Sequence, residues 1–327
     1  MSKKFPSAWC LIITALFLTL KSSAETIEDN FARDPLANGW SIVGTPELFQ
    51  WDPTNLNVIA HWDSSKPNSY FLRPLGTVLS KEDDFSIAFD LKLNSIAIGT
   101  DPGKPYTFQL AIGLLNLASA TATNFLRGTG IDSPNLVEFD YFPDSGFGAT
   151  ISPTLISSNN HFASSFSIRE MNTNVAFRIT MNYAASNLTL TTTISSNGLP
   201  FGPIKNAVIS PPFSDFRVDH FAVMSYSDAG QDPQFAGSIL AQGVFDNLSL
   251  VVLPAPVRNV TGRFANGIWQ VGFLSRSNWI YGLERTTNLT TWAQLPGSVA
   301  GNGTIVSLTD SNAPAKNAFY RVRAEKP

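Results

Sequence analysis

Cysteine is almost missing from this chain: Cys10 is the one thiol in 327 residues, so no disulfide within the chain can brace the fold. Charge is sparse as well, with 22 Lys and Arg against 25 Asp and Glu. No basic stretch is left to track a phosphate backbone, which argues against nucleic acid as a partner. The same shortage disfavours an anionic membrane surface. No apolar run reaches the roughly 18 residues that would suggest a membrane-spanning helix. Helical periodicity is scarce too, since no long segment repeats its apolar residues every three or four positions.

What is present begins with an export pattern. Lys3 and Lys4 precede the apolar run Trp9 to Leu20, and Ser22-Ser23-Ala24 offers small residues for cleavage. A signal peptide over residues 1–24 is the expectation, with a mature chain starting at Glu25. Its removal takes Cys10 and three lysines, Lys3, Lys4 and Lys21, leaving 19 cationic residues against 25 acidic ones, a net charge of −6. The expected location is extracellular or periplasmic, with no membrane insertion. Stability then rests on buried apolar surface, which roughly 300 residues supply in two domains.

Phe, Val, Ile and Thr alternate through short segments punctuated by Gly and Pro. The clearest are Asn55–Trp62, Ser69–Pro74, Phe85–Leu93, Tyr106–Asn116, Leu136–Phe142, Gly148–Ile156, Val175–Tyr183, Leu188–Ser195, Phe216–Ser225 and Gly243–Leu253. Many short strands between turns predict an antiparallel sandwich. Leu253-Pro254-Ala255-Pro256 reads as a stiff linker, and the tail carries its own strands around Gly267–Leu274, Trp279–Arg285, Trp292–Leu295, Thr304–Leu308 and Phe319–Ala324. The division is a large sandwich over 25–253, a linker over 254–257 and a small sandwich of six or seven strands over 258–327. Trp40, Trp51 and Trp62 read as core of the first, and Trp269, Trp279 and Trp292 as core of the second.

Chemistry concentrates in Asn135 to Gly148, NLVEFDYFPDSGFG. Val137, Phe139 and Tyr141 alternate with Glu138 and Asp140, a strand with two unlike faces. The two carboxylates share a face about 7 Å apart, and Asp144 follows in a Pro-Asp-Ser-Gly turn. Such a set repels itself unless a cation, a proton or water intervenes. A solvated strand face with a self-capping turn is the plain alternative. His61, His161 and His220 show no ligand spacing. Tyr226, Ser227 and Asp228 before Gly230 fit a loop at one end of the sandwich.

VEFDYFPD resembles the metal-loop strand of L-type lectins, whose fold is the concanavalin A-like jelly roll. The resemblance implies an all-β jelly-roll sandwich that binds carbohydrate or extracellular polysaccharide, with a transition metal on Glu138 and Asp140 and a neighbouring calcium on Asp140, the carbonyl of Phe142, and Asp144. The family's further Asp and His are absent from Ala149 to Thr154. The same residues are similar to the E-x-D strand of laminarinase- and agarase-type retaining glycosidases. That likeness implies Glu138 as nucleophile and Asp140 as its tuning partner. Retention needs a second carboxyl about 5–5.5 Å away, yet the expected positions hold Phe142 and Pro143.

The tail resembles a small fibronectin type III-like sandwich that closes many secreted bacterial proteins. Its matching residues are Tyr281, Leu283, Glu284, Leu289, Trp292, Phe319, Tyr320 and Arg321. It implies a spacer or attachment module without catalytic residues. The leading expectation is a secreted, non-catalytic, lectin-like protein that uses calcium. A retaining glycosidase and a structural surface or matrix protein with no small-molecule site are the alternatives.

Overall fold

The computed structural model describes residues 25–128, 132–234, 236–252, 257–275, 279–314 and 317–325. The expected signal peptide and the linker prolines Pro254 and Pro256 lie outside the described residues. Two compact units are present, a large one running to residue 252 and a small one from residue 257. The fold class is the one expected, all-β with two sandwiches.

The large unit stacks two antiparallel sheets. One runs in the order Leu199–Pro200, Thr189–Ser196, Ala176–Ala184, Phe85–Ile98, Ile239–Val252, Asn57–Asp63, Phe49–Asp52. In its strand Phe85–Ile98, Phe85, Ile87, Phe89, Leu91 and Leu93 point inward while their neighbours are half-buried. That is the period-two pattern of a sheet with one wet face. The second sheet runs Phe162–Ser164, Thr150–Ile156, Leu136–Phe142, Leu110–Leu115, Val218–Ser225, Ser69–Leu79, Ser41–Val43. Val218–Ser225 inserts between strands that precede it by a hundred residues or more, so the chain crosses repeatedly from sheet to sheet, as a jelly roll does.

Aromatic rings fill the space between the sheets. Trp40 stacks on Phe71 with centroids 4.3 Å apart, and Phe31, Phe221 and Phe245 surround the pair. The Trp40 indole N–H donates to Asp29 at 2.8 Å, and that of Trp51 to the Phe31 carbonyl at 2.9 Å. Trp40 and Trp62 are core; Trp51 packs half-buried against it.

The second sheet departs from simple alternation. Leu110–Leu115 and Thr150–Ile156 are buried at every position, and Leu136–Phe142 at all but the last. Both faces are covered there. The inner face meets the core; the outer face lies under the segment after Leu117–Ala120, where the Tyr70 hydroxyl donates to the Ala120 carbonyl at 2.9 Å and Phe125 packs on Tyr226. Gly113 lets the strands close up beneath this cover: a Cβ there would meet the Val137 carbonyl oxygen at 2.1 Å.

The small unit has two three-stranded antiparallel sheets, Arg258–Ala265, Ile268–Leu274, Ile305–Asp310 and Ala293–Ala300, Ile280–Thr286, Phe319–Glu325. Phe273, Trp279, Tyr281 and Leu283 lie at its centre. Of its three tryptophans only Trp279 is core. Trp269 stacks on Tyr320 at 5.1 Å, and Trp292 lies 4.3 Å beneath the Arg321 guanidinium, which pairs with Glu284. Trp292 thus gains a cationic partner, whereas the Trp269 indole nitrogen is buried without a hydrogen-bond partner.

Candidate functional site

Glu138 and Asp140 leave the outer face of Leu136–Phe142, as the alternation predicts. In register they sit between Gly113 and Ala111 on one neighbour and Thr154 and Ser152 on the other. Glycine and alanine leave the carboxylates room; serine and threonine give them a polar flank. Neither carboxylate is solvated, since Glu138 is 0% and Asp140 1% exposed.

Their partner is Arg127, carried in by the loop after Phe125. Its Nε donates to Glu138 Oε2 at 2.9 Å, and its Nη2 reaches Glu138 Oε2 at 2.8 Å and Asp140 Oδ2 at 2.9 Å. Tyr226 donates its hydroxyl to Glu138 Oε1. The guanidinium carbon lies 5.8 Å from the Phe162 ring and 5.9 Å from that of Tyr226, between two aromatic groups. One cation serves two carboxylates. Burial and the neighbouring Glu138 together push the Asp140 carboxyl up to about 8, while Arg127 and Thr154 pull the other way. Burial and Glu138 also raise the Tyr226 hydroxyl well above its ordinary value, so it stays a donor.

Asp144 takes a different role. Its Oδ1 accepts the Gly146 N–H at 3.0 Å, an Asx turn. Its backbone clamps Thr107 twice, donating to Thr107 Oγ1 at 2.8 Å and accepting the Thr107 N–H at 2.9 Å. The pair continues the register of Leu110 opposite Tyr141, but the regular strand begins only at Leu110 rather than at the expected Tyr106, whose own bridge is to Gly237. Phe142 pairs with Thr150 and lines a cleft.

The proposed calcium set does not gather. Among the described residues no group of three His, Cys, Asp or Glu is arranged to hold a metal ion. Calcium takes six to eight oxygens. Here both Glu138 oxygens and Asp140 Oδ2 are already hydrogen-bonded to protein donors, and Asp144 Oδ1 is bound to its own turn. The residues present do not fit the ion, because a guanidinium occupies the place a metal would need. As for the expected nucleophile, both Glu138 oxygens are hydrogen-bonded, and among the described residues lining the cleft Asp140 is the one carboxyl.

The cleft itself has a volume of about 230 Å³ and opens over Asp140. Thr107, Gln109, Ser152, Thr154, Ser164 and Gln231 give it a polar lining, and Phe108, Phe142, Phe162 and Phe166 give it apolar faces. Two buried atoms of this lining have no hydrogen-bond partner, Asp140 Oδ1 and Gln109 Nε2. Ser152 faces Asp140 across the strand pair, and the Thr154 hydroxyl beside it bonds to Ser152. Phe166 of this lining is 61% exposed.

Sequence reasoning identified the carboxylate pair and their common face. It missed Arg127, Gln109, Ser152 and Thr154. One signal was available: two acidic side chains in an apolar strand need a counter-charge, and Arg127 is the cation nearest to Glu138 in sequence. Ser152 and Thr154 alternate with Ile151, Pro153 and Leu155, a polar stripe of the same period. Tyr226 was placed at a loop end; Asp228 beside it binds Lys104 at 2.7 Å and Ser64 at 2.9 Å, tying loops together.

No protein-family model matches the chain, and no curated protein matches it in sequence. Among solved structures, peanut lectin with a nine-residue peptide is 13% identical, covering 72% of this chain and 100% of its own, with a TM-score of 0.42. A seed lectin of Lotus tetragonolobus is 11% identical over 71% and 100%, with a TM-score of 0.43. The Emp47p carbohydrate recognition domain is 12% identical over 70% and 99%, with a TM-score of 0.38. These neighbours are legume lectins and an L-type lectin domain, and the likeness is one of chain outline.

Proposed function

We propose that this is an exported protein that binds carbohydrate without cleaving it, through the cleft over Asp140. One observation carries the reading. Two side chains whose buried polar atoms lack partners, Asp140 at Oδ1 and Gln109 at Nε2, line the same cleft as four phenylalanines. Buried polar groups without partners are costly, so a site that keeps them is built for something that supplies the missing bonds. A sugar ring offers hydroxyls that donate and accept, together with apolar faces that pack on aromatic rings. The cleft volume of about 230 Å³ falls below the roughly 300–1,000 Å³ of sites for drug-sized ligands. It suits one sugar ring rather than an oligomer.

Export rests on the N-terminal basic and apolar run, and the small unit serves in this reading as a spacer or attachment module of fibronectin type III-like kind. Calcium has no part, since the residues do not fit it.

The test is a glycan array probed with the full mature chain, alongside Phe166→Ala. Phe166 is exposed at the rim, so its removal leaves the fold intact. Wild type should bind a defined glycan set, and the variant should bind it roughly two- to tenfold more weakly. An array with no signal above background for the wild type overturns the proposal. Sugar release from a polysaccharide, abolished by Glu138→Gln, would overturn its non-catalytic half.

A further inference from the structure

Two acidic side chains on one strand face need a positive charge between them, and a bound divalent ion is one way to supply it. This chain supplies it covalently. Arg127 is 6% exposed, seated between Phe162 and Tyr226, and bonded to both carboxylates. The planar guanidinium fork suits this task, because it spans two carboxylates with separate N–H groups. We infer that Arg127 is a built-in counter-cation that fixes the floor of the cleft, so that the site recognises neutral sugars and needs no divalent metal. This rests on the carbohydrate reading above.

The selectivity follows from what remains unbonded. Asp140 Oδ1 and Gln109 Nε2 both lack a partner, and with the Asp140 carboxyl protonated below about pH 8 each can donate. The oxygen of one sugar hydroxyl, or of two neighbouring ones, can accept from both. Among the described residues of the lining Arg127 is the only cation, and its charge is already taken by Glu138 while Asp140, protonated below about pH 8, shares its hydrogen bonds. A sugar carboxylate entering the cleft would therefore be an anion with no counter-cation left to pair it, beside Glu138 and away from water. Rejection of acidic sugars is thus written into the charge count, by repulsion as much as by attraction.

Binding of paired monosaccharides by the full mature chain tests this: glucose with glucuronate, galactose with galacturonate, each in excess EDTA and in excess calcium chloride. Melting curves with calcium chloride alone supply a readout independent of any sugar. The expected result is that a neutral sugar binds equally in both buffers, at least tenfold more tightly than its uronate partner. Calcium should leave the melting midpoint unmoved. Gln109→Ala, whose amide nitrogen holds no protein partner, should fold normally and bind about tenfold more weakly. Binding that appears only with calcium, a calcium-raised midpoint, or equal binding of uronates overturns the inference and leaves the carbohydrate reading standing. Failure of every sugar in both buffers sinks that reading and the inference with it.

Discussion

Arg127 holds two buried carboxylates with one charge, and removing it should cost more than any single bond it makes. Breaking a buried pair by deleting one partner typically costs about 3–5 kcal/mol, because the remaining charge is stranded. Arg127→Met should lower unfolding free energy in urea by about that amount, and Arg127→Lys should recover only part, since an ammonium lacks the fork. Asp140 gives a pH signature. In the folded chain its carboxyl keeps a proton up to about pH 8, whereas the unfolded chain releases it near pH 4. The folded state therefore binds more protons between those values, and stability falls as pH rises. Thermal midpoints should drop from about pH 5 to about pH 8, and Asp140→Asn should flatten that slope. A rising midpoint over this range would contradict the assignment. The acidic pair and its shared face were legible from residues 136 to 142, because a period of two is local. Arg127 was not, because a loop of irregular backbone brings it there and spacing alone does not show where a loop folds back.

At the scale of elements, the site exists because three strands approach closely under a cover. Gly113 permits the approach, with the Val137 carbonyl 2.1 Å from where a Cβ would sit. Gly113→Ala must push the strands Leu110–Leu115 and Leu136–Phe142 apart or break their register. A loss of about 1–3 kcal/mol in chemical denaturation is expected, accompanied by weaker sugar binding as the cleft floor shifts. Most strands of the large unit were readable from alternation, among them Phe85–Ile98 and Ala176–Ala184, whose outer faces are wetter. The short strands Glu25–Asp29, Ser41–Val43 and Phe49–Asp52 were not read, since three to five residues carry too little pattern. The two-faced burial of Leu110–Leu115 and Thr150–Ile156 also escaped, because the cover that dries their outer face comes from sequence-distant segments.

For the whole molecule, each unit has its own core: the large one built on Trp40, Phe71, Phe221 and Phe245, the small one on Phe273, Trp279 and Tyr281. Calorimetry should resolve two transitions. Phe273→Ala, at a position 0% exposed, removes about 3–5 kcal/mol of packing from the small unit alone and should lower one transition while leaving the other in place. A shared drop would show that the two melt together. The strands that end the two sheet orders of the large unit are two to four residues long, Leu199–Pro200, Phe49–Asp52, Phe162–Ser164 and Ser41–Val43, and the further edge strand Glu25–Asp29 has five. One of them ends in proline, which has no amide hydrogen to offer. A foreign chain seeking to extend either sheet thus meets few free backbone donors, and a sandwich without a single disulfide is spared the edge-on stacking that leads to fibres.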